Sequence, residues 1–97
     1  GMILTTALQA IAETIPGATL KGRGMMQGID VGSGDLAGAI CARCFDAGLI
    51  IETSGAHDEV VKILAPLTTP DAILREGLAI LTEAARAETE TMKTAAE

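Results

Sequence analysis

Residues 21–31 read Lys21-Gly22-Arg23-Gly24-Met25-Met26-Gln27-Gly28-Ile29-Asp30-Val31. No helical period runs through residues 18–31, so Met25 to Val31 is expected to form a strand. Glycine inside a strand marks a bulge or a close backbone approach. Alternation puts Met25 and Met26 on opposite faces, so at most one of them enters the core. Ser33-Gly34-Asp35 follows, with side chains suited to capping a helix. Leu36, Ile40, Cys41, Cys44 and Phe45 then recur on one helical face, and Gly48 supplies the stop. Leu49-Ile50-Ile51-Glu52 reads as a short buried strand. Strand, helix and strand together make a βαβ unit. Its crossover should be right-handed if the two strands are parallel in one sheet.

Outward from this unit, Leu4, Leu8, Ile11, Ala12 and Ile15 predict an amphipathic helix over 3–15, ended by Pro16-Gly17. Downstream, Thr53 to Glu59 is polar and reads as a loop, and Val60 to Leu64 reads as a strand antiparallel to 49–52. Thr69-Pro70-Asp71 is a helix start: Thr can cap, Pro suits the first helical position, and Asp complements the dipole. Ile73, Leu74, Gly77, Leu78, Leu81, Ala84 and Ala85 continue it as an apolar stripe, to about Glu90. The tail beyond is expected to fray. The order is α-β-α-β-β-α. This is a small α/β (α+β) domain of two layers, with helices on one face of a three-stranded sheet. Residues 2–97 read as one domain, and Gly1 before Met2 reads as the remnant of a removed tag.

Composition narrows the function. Thirteen acids against seven bases give a net charge of −6. The bases are scattered, so a nucleic-acid partner is not expected. One Phe and no Tyr or Trp leave no platform for base stacking. No apolar run approaches the roughly 18–20 residues of a membrane helix, and the cytosol is the default compartment. The two cysteines could not staple a fold three residues apart. At mid-helix on an apolar face they lack the helix N-terminus that activates a redox pair, and they read as packed core. Zinc would need two further ligands, and His57 is the only histidine. No metal site is therefore expected. His57 itself sits in the polar stretch 54–59 and reads as solvated.

Four stretches in order resemble the class III pyridoxal-phosphate-dependent aminotransferases. Lys21 to Asp30 is similar to the glycine-rich strand that opens that family's small C-terminal domain. The helix ending in Gly48-Leu49-Ile50-Ile51 is similar to its next segment. Val61-Lys62-Ile63-Leu64-Ala65-Pro66-Leu67-Thr68 resembles its "hydrophobic-Arg-hydrophobic-x-Pro-Pro-Leu" strand and turn. The amphipathic helix after Thr69-Pro70 is the fourth. The resemblance covers about residues 18–86 and implies the small C-terminal domain of a fold-type I aminotransferase. It implies a substrate-carboxylate role for Lys62, with Arg23 a second candidate. Lys62 stands where the family often has Arg, and an ammonium cannot make the bidentate fork of a guanidinium. Where the family has two prolines this chain has Ala65-Pro66.

The resemblance also implies pyridoxal phosphate in the full-length protein, held by a large domain outside these 97 residues. Lys21, Lys62 and Lys93 are the only lysines, and none matches the family's cofactor lysine. Phe45, the sole aromatic, is expected on the buried face of its helix. No cofactor-binding or catalytic residue is therefore assigned, and the chain alone is expected not to catalyse transamination. Its expected partner is the missing large domain or, without it, further copies of itself in a homo-oligomer. Blander readings stand beside these. Lys62 reads also as a surface lysine, Arg23 as a structural residue of the glycine turn, and, as the alternative, the whole as a stand-alone module binding a small ligand or a protein.

Overall fold

The computed structural model describes residues 2–23, 26–64 and 68–96. The elements are α1 (Met2–Glu13), β1 (Thr19–Arg23), β2 (Met26–Asp30), α2 (Gly34–Asp46), β3 (Glu52–Ser54), β4 (Val60–Leu64) and α3 (Asp71–Ala96). The strands form one four-stranded sheet in the order β1-β2-β4-β3, with every neighbouring pair antiparallel. The sheet thus has one strand more than the sequence pattern predicts. Thr19–Arg23 shows little alternation and contains Gly22, yet it pairs along its whole length with β2. Gly22 adopts φ +76, and a Cβ there would run into the Met26 carbonyl oxygen, so only glycine fits this approach.

β2 and β3 run in the same direction, because each is antiparallel to β4, which lies between them. The expected βαβ unit exists in this split form. Its second strand begins three residues later than expected. Gly48 takes φ +96 and donates to the Phe45 carbonyl, while Leu49 donates to the Cys44 carbonyl at 2.8 Å. These two bonds make a Schellman ending for α2, so Leu49 closes the helix and does not enter the ladder. At the other end of α2, the Ser33 hydroxyl accepts from the Leu36 N–H at 3.2 Å.

α1 lies on β1 and β2, α2 on β3 and β4, and α3 packs against α1 and α2. The core is continuous. Leu4, Leu8, Ile11 and Ile15 meet Ile29, Val61 and Ile63 of the sheet, Leu36, Ile40 and Cys44 of α2, and Leu78, Leu81, Ala84 and Ala85 of α3. Phe45 is a correction to the sequence reading: it is 64% exposed. α3 also continues past Glu90 to Ala96. Gln27 is buried and joined to α1, donating from Nε2 to Thr5 Oγ1 at 3.0 Å. Among the described residues no helix is long and apolar enough to cross a membrane. Met25 and the Ala65-Pro66-Leu67 turn lie outside the described residues.

Candidate functional site

Alternation along β2 and β4 separates two faces. Gln27, Ile29, Val61 and Ile63 are buried beneath the helices. Met26, Gly28, Val60, Lys62 and Leu64 therefore stand on the other face, which no described element covers. Register carries this face across the sheet. Lys21 lies opposite Gly28, Gly28 opposite Lys62, and Lys62 opposite Glu52. One cross-strand row thus reads Lys21, Gly28, Lys62, Glu52. Two rows along, Arg23, Met26 and Leu64 are in register. The positions of the two cations singled out by the family resemblance fall in alternate rows of the register, with Gly22, Gln27 and Ile63 in the row between.

Lys62 is half-buried, and its Nζ lies 4.0 Å from Glu52 Oε2. Glu52 is mostly exposed. Such a pair contributes at most about 1 kcal/mol and yields readily to a competing anion. Sequence reasoning missed Glu52 as a neighbour of Lys62, because ten residues separate them and only the β3–β4 register joins them. Lys62 and Glu52 also border a groove of about 410 Å³ between the sheet and the first half of α3. Its lining is otherwise largely apolar, including Leu49, Ile50, Leu64, Ile73 and Leu74. Ile50, Leu64 and Ile73 are strongly exposed, Ile50 at 76%.

The remaining candidates fall elsewhere. Cys41 and Cys44 sit within α2, half-buried and fully buried. Burial, then the charge of Cys41, pushes the Cys44 thiol up to about 11. Burial, then Glu52, pushes Cys41 up as well. Both shifts oppose thiolate formation, the reverse of what a reactive cysteine needs. His57 is exposed in the β3–β4 loop, where its backbone N–H donates to Glu59 Oε2 at 2.9 Å. Among the described residues no three His, Cys, Asp or Glu side chains converge as metal ligands.

The chain's own residues do not fit a pyridoxal ring. That chemistry needs a lysine beside an acid and a stacking surface. Lys21 and Lys93 are exposed, Lys62 faces Glu52 at the rim of an aliphatic groove, and Phe45 projects from α2.

No family model matches the chain. Over 64 residues it is 62% identical to diaminobutyrate–2-oxoglutarate transaminase of Halomonas elongata, a match covering 66% of this chain and 15% of that protein. The protein of that name from Nocardia farcinica is 45% identical over 84 residues, covering 87% of this chain and 19% of its own length. Among solved structures, a Bacillus anthracis aminotransferase superposes with a TM-score of 0.68 at 16% identity, covering 89% of this chain and 23% of that one. The ornithine delta-aminotransferase of Plasmodium falciparum does so with 0.67 at 22% identity, covering 90% and 23%. The chain spans no more than about a fifth of the length of these curated relatives. The resemblance to a segment of an aminotransferase holds in sequence and in fold.

Proposed function

We propose that the chain is the small C-terminal domain of a class III aminotransferase of the diaminobutyrate–2-oxoglutarate kind, the ectoine-pathway type, and that it does not catalyse transamination alone. The observation that carries this reading is 62% identity confined to 15% of the relative's length. The poor fit of its lysines and single aromatic to a pyridoxal ring agrees with it. In the whole enzyme a large domain would hold the pyridoxal phosphate, which supplies the electron sink for amino-group transfer.

This chain's own part is binding and enclosure. The uncovered sheet face would close over the substrate and exclude water. Lys62 would meet the substrate carboxylate as a point charge, displacing Glu52. Arg23 stands two rows along in the register. The apolar groove around Ile50, Leu64 and Ile73 suits the partner side of a domain interface. Without a large domain that groove favours self-association, giving a homo-oligomer.

The test is direct. Purified chain is mixed with pyridoxal phosphate, diaminobutyrate and 2-oxoglutarate, and glutamate formation is followed. No turnover is expected, and turnover would overturn the reading. In light scattering across micromolar concentrations, a monodisperse monomer would count against self-association through the groove.

A further inference from the structure

The uncovered face carries a pattern that a surface meeting only a foreign domain does not need. Lys62 of β4 and Glu52 of β3 stand side by side across the strands. Continued two residues, the same register sets Leu64 of β4 beside Ile50, just ahead of β3. Both line the same groove. Alternation puts them on the face that carries Lys62 and Glu52. Leu64 and Ile50 are strongly exposed. The β3–β4 pair thus presents a cation beside an acid and, two residues along, one exposed aliphatic beside another.

This pattern is complementary to itself. A twofold axis lying in the plane of the face, along the strands and between β3 and β4, would carry Lys62 over the partner's Glu52 and Glu52 over the partner's Lys62. The same axis would carry Leu64 over the partner's Ile50, and Ile50 over the partner's Leu64. Stacked sheets lie about 10 Å apart, a gap that such side chains fill from both sides. Within one chain the Lys62–Glu52 contact is long, 4.0 Å, and open to water. It gives way to pairs formed between copies, where neighbouring aliphatic side chains exclude water and strengthen the attraction. The chain carries −6, so two copies repel in most approaches. In this one the facing charges cancel.

We infer that the uncovered face forms an isologous dimer of this chain, held by crossed Lys62–Glu52 ion pairs and crossed Leu64–Ile50 contacts about a twofold axis. The inference rests on the self-association drawn from the small-domain reading and deepens it, adding the partner surface, its symmetry and the charges that fix its register. The overlap is two strands wide, short of the roughly 800 Å² per partner of a standard stable interface. The dimer is accordingly weak, with a Kd on the order of 10–100 μM. A large domain covering the same face would exclude it.

The test is sedimentation equilibrium of the whole chain, without cofactor, from a few to several hundred micromolar. A monomer–dimer equilibrium is expected. Lys62→Glu sets acid against acid and Glu52→Lys sets base against base, so each should weaken the dimer at least about tenfold. An equal mixture of the two variants restores both ion pairs in a heterodimer and should recover the parent affinity. Thermal melts check that each variant folds. Ile50→Ser, at a still more exposed site, is a second variant that should weaken association without altering a charge. In a mixture of isotope-labelled and unlabelled chain, NOEs between copies should join Leu64 to Ile50. A monomer throughout, a dimer indifferent to both charge reversals, or a mixture no tighter than its components would overturn the inference. The last two results would leave self-association by another arrangement standing. None of the three touches the small-domain reading, which turnover by the chain alone would sink.

Discussion

Thr89 on α3 is 6% exposed, and its hydroxyl has no hydrogen-bond partner among the described residues. The helix contains an internal comparison. Thr82, Thr91 and Thr94 each donate to the carbonyl four residues earlier, on Leu78, Ala87 and Glu90. A buried hydroxyl without a partner costs about 1–3 kcal/mol. Valine has nearly the same shape and a similar helix propensity. Thr89→Val therefore removes the desolvation cost and buries a methyl group instead. The expected gain is about 1 kcal/mol, or roughly 4–8 °C in Tm for a domain of this size. Against a total of about 5–15 kcal/mol, that is measurable. Urea titration should show a higher midpoint at constant slope. Thr82→Val is the control: its site is exposed, and the change should stay within about 0.5 kcal/mol. If Thr89→Val is neutral or destabilising while the control is neutral, the hydroxyl is satisfied in solution and the reasoning fails.

Gly38 is exposed inside α2, with nothing within 4 Å of an added Cβ, so Gly38→Ala should stabilise by about 0.5–1 kcal/mol in a thermal melt. Gly28→Ala should do the opposite, by about 1–3 kcal/mol, because the Val61 carbonyl oxygen belongs to the ladder and cannot retreat. Cys44, raised from the ordinary 9.0 to about 11, favours the folded state while its thiol is protonated. That contribution is complete below pH 9 and is lost as pH rises towards about 11, so Cys44→Ala should flatten the fall of Tm over this window. Iodoacetamide should label both thiols far more slowly in the folded protein than in urea. Arg43 Nε meets Glu88 at 2.6 Å and joins α2 to α3, so Arg43→Ala should cost up to about 1 kcal/mol at low salt and less at high salt, read from urea midpoints.

Much of the fold was legible along the chain because its signals are local. The stripes of α1 and α3 follow the helical period, and the Ser33 cap and the Gly48 stop act within a few residues. The same period explains the error at Phe45. Leu36, Ala37, Ile40 and Cys44 define the buried arc of α2, and Phe45 falls about 125° from its centre at roughly 100° per residue. Leu49-Ile50-Ile51 had the composition of a strand, but the Schellman bond from Leu49 to Cys44 holds the run in the helix ending.

The candidate site divides the same way. Lys62 was legible as one residue within a motif. Its surroundings were not: Glu52 ten residues before it, and Lys21 and Gly28 two strands and one strand away, meet it only in the finished sheet. β1 itself becomes a strand by pairing with β2, since Leu20 is its single strongly apolar residue. Periodicity and caps act over one or two turns of chain, so sequence alone determined the helices, the core stripes and the β4 strand. Register is set by hydrogen bonds between distant segments, and a slip of one residue turns every side chain to the opposite face. Only the tertiary structure could therefore decide which charges share a row on the uncovered face.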